Sequence, residues 1–453
     1  MMKLAFMGAA GTVTGSKYLL SGADSKIMVD CGLFQGLKYL RLKNWAPLEV
    51  APSTIDAVLL THAHLDHSGY LPLLAKEGFK GPVYCTGATA ELCDILLRDS
   101  AYLQEKDAEF ANRYGFSKHK PARPLYTSED AEKAIGLLRP QAFDHPMHVQ
   151  NGIEATFRTA GHILGASTIT VQMEGRTIVF SGDLGRMEDP VMLRPTQIDH
   201  ADYLVVESTY GNRKHEALDV EARLADIISS TAARGGSVIV PAFAVGRTQS
   251  LLYQISRLKK AGRIPDLPVF LDSPMAINAS HIYCENRAVH RLSDAECKTA
   301  CSVAKYTRKV EESKKLTYLA MPAIIISASG MATGGRILHH LKHYAADRRN
   351  TILFTGFQAA GTRGRAMVEG ARQIKIHGSY IPVNAQVENL DALSAHADSD
   401  EILEWLSGFK HPPKTTFVTH GEPEASAALA ARIRDELGWH CEIPELGQEV
   451  ELP

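Results

Sequence analysis

The stretch His62-Ala63-His64-Leu65-Asp66-His67 gathers three imidazoles and a carboxylate directly after the apolar run Ala57-Val58-Leu59-Leu60. A short apolar run that ends in a polar turn reads as a buried strand, which places these side chains on the rim of a sheet. Imidazole and carboxylate together suit borderline cations such as Zn²⁺, and a set rich in His and Asp but poor in Cys points to a reactive metal centre rather than a closed structural one. The competing reading is a solvated polar turn. With 19 His spread over 453 residues, composition alone does not produce so dense a cluster.

Four other places repeat the form of an acidic residue or His just beyond an apolar strand: Val29-Asp30, Ala160-Gly161-His162, Phe180-Ser181-Gly182-Asp183 and Phe417-Val418-Thr419-His420. Strand ends bring residues distant in sequence to one rim. The candidate ligands are then His62, His64, Asp66, His67, His162, Asp183 and His420. That is too many for one ion, whereas two cations about 3.5–4 Å apart can share them. A workable assignment puts His62, His64 and His162 on one Zn²⁺, Asp66, His67 and His420 on a second, and Asp183 between the two. A water shared by both ions would have its pKa lowered toward neutrality. Asp30 suits a place behind the ligands, hydrogen-bonded to an imidazole or a ligand loop. It suits equally a cap on the turn before Cys31-Gly32.

The chain is longer than one ordinary domain of about 100–200 residues. Its 45% apolar and 22% charged residues are those of a soluble globular protein. Its longest apolar stretches, such as Ala323-Ile324-Ile325-Ile326, fall far short of the ~20 residues of a membrane-spanning helix. The amino-terminal residues run into a strand-and-glycine pattern without the apolar segment and cleavage site of a secretory leader. The 7 Cys, odd in number and scattered, fit reduced thiols, so the expectation is a cytoplasmic protein with no membrane partner. Cys297 and Cys301, four apart, are expected to share a helix face as buried apolar groups. A net charge of -2 leaves nucleic-acid binding to local positive patches.

Short strands and glycine turns fill the first sixty residues, and helical spacing follows from Ala88 to about Phe116. A second helix is expected over Glu129 to Leu138, closed by Pro140, before strands resume from Ala155 to Glu207. Beyond Tyr210 the rhythm becomes helix and strand in alternation, as in βαβ units with parallel strands, interrupted by a long polar helical stretch from about Ile277 to Leu319. These patterns mark residues 1–208 as the first part of one domain, 209–385 as an inserted α/β domain, and 386–453 as the return to the first.

On its motifs the chain resembles the metallo-β-lactamase superfamily, and within it the β-CASP branch of nucleic-acid hydrolases. Asp30, His62-x-His64-x-Asp66-His67, His162 and Asp183 are similar to the superfamily's first four motifs in order. Glu207 in Val205-Val206-Glu207-Ser208-Thr209, His396 in Ser394-Ala395-His396-Ala397-Asp398 and His420 in Thr419-His420-Gly421-Glu422 resemble the branch's own three. The resemblance covers nearly the whole chain. It implies an α/β fold: an αββα sandwich built from the two ends of the chain, with an inserted α/β β-CASP domain. A His in the last of the branch motifs is similar to the RNA-processing members, which implies single-stranded RNA as substrate; a homodimer is an admissible assembly.

The expected activity is a two-zinc ribonuclease, acting as an endonuclease, a 5′-exonuclease or both. His396 is the candidate general acid, oriented by Glu207 as the resemblance suggests, and Asp66 doubles as ligand and acceptor of the attacking water's proton. Three glycine-bearing turns of the inserted domain suit phosphate oxygens. They contain Arg247, then Ser329-Gly330, then Arg363 and Arg365, and together with Arg336, Arg372, Lys375 and Ser394 they make up the expected phosphate lining. A small-molecule thioester or phosphodiester hydrolase of the same superfamily and a non-catalytic RNA-binding scaffold are the alternatives.

Overall fold

The two ends of the chain fold together, and the middle folds on its own. The computed structural model describes residues 2–115, 117–150, 152–216 and 219–453, so Phe116, the expected helix end, lies outside the described residues. Backbone contacts divide the chain into one unit of Met1–Asp189, Leu193–Lys214 and His396–Pro453, and a second of Pro190–Met192 and His215–Ala395.

The first unit is a sandwich of two seven-stranded sheets. One contains β1 (Met2–Phe6), β2 (Tyr18–Ser21), β3 (Lys26–Val29), β4 (Ala57–Leu59), β5 (Val83–Thr86) and β6 (Leu138–Gln141), with β22 (Glu449–Leu452) beyond β1. The other runs β7 (Met147–Gln150), β8 (Ile153–Thr159), β9 (Ser167–Met173), β10 (Arg176–Phe180), β11 (Tyr203–Glu207), β20 (Thr415–Thr419), β21 (Cys441–Glu442). Alternate residues of both sheets meet in one core, with Leu4, Phe6, Ile27, Val29 and Leu59 facing Phe157, Ile169, Phe180, Val205 and Phe417. The opposite faces of β10, β11 and β20 present Val179, Leu204, Val206 and Val418 to Ile402, Trp405, Leu406 and Leu429 of helices Ser399–Leu406 and Pro423–Arg432. Because both faces are covered, β11 is buried at every position and its sequence is continuously apolar up to Glu207. Helices Leu71–Lys76, Gly87–Tyr114 and Ser128–Ile135 pack with one another beside β5 and β6.

In the second unit six parallel strands follow the order β14 (Lys305–Tyr306), β13 (Val269–Leu271), β15 (Ile324–Ser327), β12 (Val238–Pro241), β16 (Thr351–Phe354), β19 (Gln386–Asn389). One face of this sheet packs on Leu224, Ile228, Leu251 and Ile255, the other on Ile337, Leu341 and Met367, so helices lie on both sides. A small antiparallel pair, β17 (Gln373–Ile376) and β18 (Ser379–Pro382), completes the unit.

Two local expectations change. The helix expected to run to Leu138 stops at Ile135, and Pro140 lies inside β6. β6 is an edge strand, the place in a sheet where a residue without an N–H is tolerated. The helical stretch from Ile277 to Leu319 divides into three α-helices, Pro274–Glu285, Asp294–Ser302 and Val310–Lys315, with strand β14 between the last two. Ser293 caps the second of these by accepting from the Glu296 N–H. Among the described residues no helix is long and apolar enough to cross a membrane.

Candidate metal centre

Strand direction explains why the site residues meet. β10, β11 and β20 are parallel, and β8 runs the same way because both it and β10 are antiparallel to β9. Their carboxyl ends therefore share one rim, which carries His162, Asp183, Glu207 and His420. In the other sheet β3 and β4 are likewise parallel and deliver Asp30 and His62. After His62 the chain turns into the short helix Leu65–Ser68, with His64 at its N-cap and Asp66 and His67 in its first turn. Gly32 lets the chain pass this turn: a Cβ there would lie 1.6 Å from the Asp66 carbonyl oxygen. Asp30 and His420 hold left-handed backbone (φ 57° and 49°), a conformation costly for residues with a side chain and met most often where function over-determines it.

The seven candidate ligands fall into two groups around Asp183. His64 Nδ1 lies 3.1 Å from His62 Nε2 and 3.2 Å from His162 Nε2. His67 Nε2 lies 3.1 Å from His420 Nε2, and Asp66 Oδ2 is 3.7 Å from that same nitrogen. One Asp183 oxygen, Oδ2, faces His62 and His162 at 3.5 and 3.6 Å. The other, Oδ1, faces His67 at 3.3 Å and His420 at 3.5 Å. A ring nitrogen carries at most one proton, so three nitrogens aimed at one point are poorly served by hydrogen bonds alone. Nitrogens bound at about 2.0–2.1 Å around a tetrahedral ion stand about 3.3–3.4 Å apart, close to the observed spacing. The donor set thus fits a pair of divalent cations.

The electrostatics agree with that fit. Burial pushes His62 well below the usual imidazole range and His64 down to about 4, so both rings are neutral, the form that binds metal. Burial acts the same way on His67, but the carboxylates of Asp183 and Asp30 overturn it and hold His67 well above that range. His420 is raised too, burial being outweighed by Asp183 and Asp66. Burial favours the neutral form of Asp183, yet His420, His67 and His62 keep it well below the carboxylate range. The pocket therefore demands positive charge, which cations satisfy as well as protons do.

Asp30 stands behind His67. Its Oδ2 accepts from His67 Nδ1 at 2.7 Å, and its Oδ1 accepts from the Thr61 N–H at 2.8 Å. With Nδ1 engaged, Nε2 is the nitrogen turned to the centre. The sequence reading missed Thr61, whose hydroxyl touches Asp30 and His62 Nδ1 (3.1 Å), and Thr209, 3.2 Å from His420 Nδ1. Their only signal was adjacency to the motifs.

Glu207 is fully buried and accepts from the Leu184 N–H at 2.7 Å and the Thr209 N–H at 3.1 Å. Its Oε1 meets His396 Nδ1 at 3.2 Å, and His396 Nε2 stands 4.0 Å from Asp183 Oδ2. His396 is the more exposed of the two, and its ring lies 4.3 Å from that of His162.

The phosphate candidates of the second unit are placed differently. Arg247 is buried, with its guanidinium on the Leu393 carbonyl and, at 3.3 Å, the Ser394 hydroxyl, which is itself buried. Arg363 donates to the carbonyls of Lys375, Ala332 and Thr333 at 2.6, 3.1 and 3.2 Å. Arg336 binds Asp272 and two carbonyls, and Arg365 pairs with Glu369. Gly330 is buried under Phe243, and the half-buried Ser329 accepts from the Thr333 N–H at 3.0 Å, closing its own turn.

Comparison with known proteins adds the family. The model of the metallo-beta-lactamase superfamily matches residues 10–214, that of the Beta-Casp domain 248–367, and that of the Zn-dependent metallo-hydrolase RNA specificity domain 380–444. Ribonuclease TTHA0252 of Thermus thermophilus is 37% identical over 99% of this chain and 100% of its own. An RNase J-like protein of Methanocaldococcus jannaschii is 30% identical, with 99% of each chain covered. Transcription termination factor FttA of Methanosarcina mazei is 31% identical over 96% of this chain and 69% of its own. A solved structure of a protein of unknown function from Enterococcus faecalis aligns over 100% of both chains with TM-score 0.56 at 14% identity, a likeness of fold alone.

Proposed function

The chain belongs to the β-CASP branch of the metallo-β-lactamase superfamily, and from that premise we propose that it is a zinc-dependent ribonuclease that hydrolyses phosphodiester bonds of single-stranded RNA in a reducing cytoplasm. The observation that carries this reading is the position of Asp183, one oxygen turned to each of two ligand groups. His62, His64 and His162 would hold one ion and Asp66, His67 and His420 the other, with Asp183 serving both groups. Two such ions, when bound, supply Lewis acidity toward the scissile phosphate and a nucleophile at neutral pH.

The remaining steps belong to side chains. Asp66, the most exposed carboxylate of the cluster, accepts the proton released as the nucleophile forms. His396 donates from Nε2 to the leaving 3′ oxygen while Glu207 holds Nδ1 and fixes the ring's orientation. Asp30 and Thr61 keep His67 and His62 aimed inward, so the ligands are in place before substrate arrives.

The test is incubation of the metal-loaded protein with labelled single-stranded RNA and, separately, a small thioester, each with and without chelator. RNA cleavage abolished by chelator, with the thioester intact, is the expected result. Thioester hydrolysis without RNA cleavage points instead to a small-molecule hydrolase.

A further inference from the structure

The second unit brings together cysteines that the sequence spacing pairs wrongly. Cys297 and Cys301 share the helix Asp294–Ser302, but the partner of Cys301 is on the neighbouring helix Pro274–Glu285. Cys284 Sγ lies 2.8 Å from Cys301 Sγ. Heavy atoms that are not bonded settle at about 3.5–4.0 Å, and a disulfide closes to about 2.05 Å, so the two sulfurs stand between contact and bond. Both are half-buried and open to a small reagent, whereas Cys297 is buried with its sulfur 3.8 Å from His290 Nε2. The other four cysteines, Cys31, Cys85, Cys93 and Cys441, are buried in the first unit.

We propose that Cys284 and Cys301 form a reversible dithiol site whose co-substrate is a small disulfide of the glutathione class. The Cys284 thiolate attacks one sulfur of that disulfide, whose S–S bond breaks and whose first thiol leaves with the proton Cys284 gave up. The Cys301 thiolate then attacks the Cys284 sulfur of the mixed disulfide and expels the second thiol, which takes the proton of Cys301. Two cysteine sulfurs are oxidised to one bond, and the small disulfide is reduced to two thiols. The new bond links positions 17 apart and ties the two helices together.

The site uses neither the metal centre nor RNA, so its fate is separable from the nuclease reading. The full-length, metal-loaded protein is reduced, freed of reductant and treated with oxidised glutathione, and its thiols are counted in denaturant. The expected result is loss of two of the seven thiols, recovery of a Cys284–Cys301 cross-linked peptide from a non-reduced digest, and reversal by reductant. Cys297→Ser should still lose two thiols, and Cys301→Ser should keep a glutathione adduct on Cys284. Survival of all seven thiols, a cross-link that includes Cys297, or loss of the reaction in Cys297→Ser overturns the proposal.

Discussion

The strand ends of the first unit and the strand-end turns of the second both carry polar side chains, yet those side chains behave in opposite ways. At the metal centre, ring nitrogens and carboxylate oxygens converge on common points, and their outward atoms are held by Asp30, Thr61 and Thr209. In the second unit the guanidiniums of Arg247, Arg336 and Arg363 fold back onto carbonyls and a carboxylate of their own unit. A buried group lacking a neutral hydrogen-bonding solution marks a place built for a ligand, because burial without compensation is costly. A buried arginine that satisfies backbone carbonyls is stabilising the fold, whatever motif it stands in.

The comparison breaks most visibly at Asp183. Asp183→Asn leaves the shape but removes the charge between the two ligand groups, so RNA cleavage should disappear and bound metal should fall, while circular dichroism stays that of the parent. Full cleavage by this variant contradicts the shared-carboxylate arrangement.

Next in size is His396→Ala. Loss of a general acid slows chemistry by about 10²–10⁴-fold, and here metal content should not change. Zinc lost in parallel with rate would place His396 among the ligands. Smallest, and on the other side of the comparison, is Arg363→Ala. Leaving three carbonyls without their donor should cost roughly 1–3 kcal/mol in denaturant melts, with the salt dependence of RNA affinity unaltered. A salt slope reduced by about 1 would instead make Arg363 a phosphate contact.

The same contrast explains what was legible in the sequence. Covered strands such as β11 announce themselves as apolar runs, and a polar residue at or just beyond the end of such a run is a rim residue by geometry. Asp183 and His420 were readable for that reason, and the family resemblance supplied Glu207 and His396. The alternation of helix and strand after Tyr210 made the α/β domain legible, and the αββα sandwich around it came from the resemblance. Pairings that depend on which helix lies beside which are not periodic, so Cys284 as the neighbour of Cys301 was invisible. Nor does sequence distinguish an arginine that reaches outward from one that turns back, since both occupy the same turn. Pro140 misled because a proline that ends a helix and one that sits in an edge strand look alike until the sheet is assembled.

Two ions beside a shared carboxylate is the claim on which the rest depends, and metal stoichiometry measured together with rate tests it most directly. The metal-free protein should be titrated with zinc while single-stranded RNA cleavage is followed. The account predicts that cleavage climbs to its plateau only as the second equivalent binds. Full-rate cleavage with fewer than two zinc atoms per chain would contradict it.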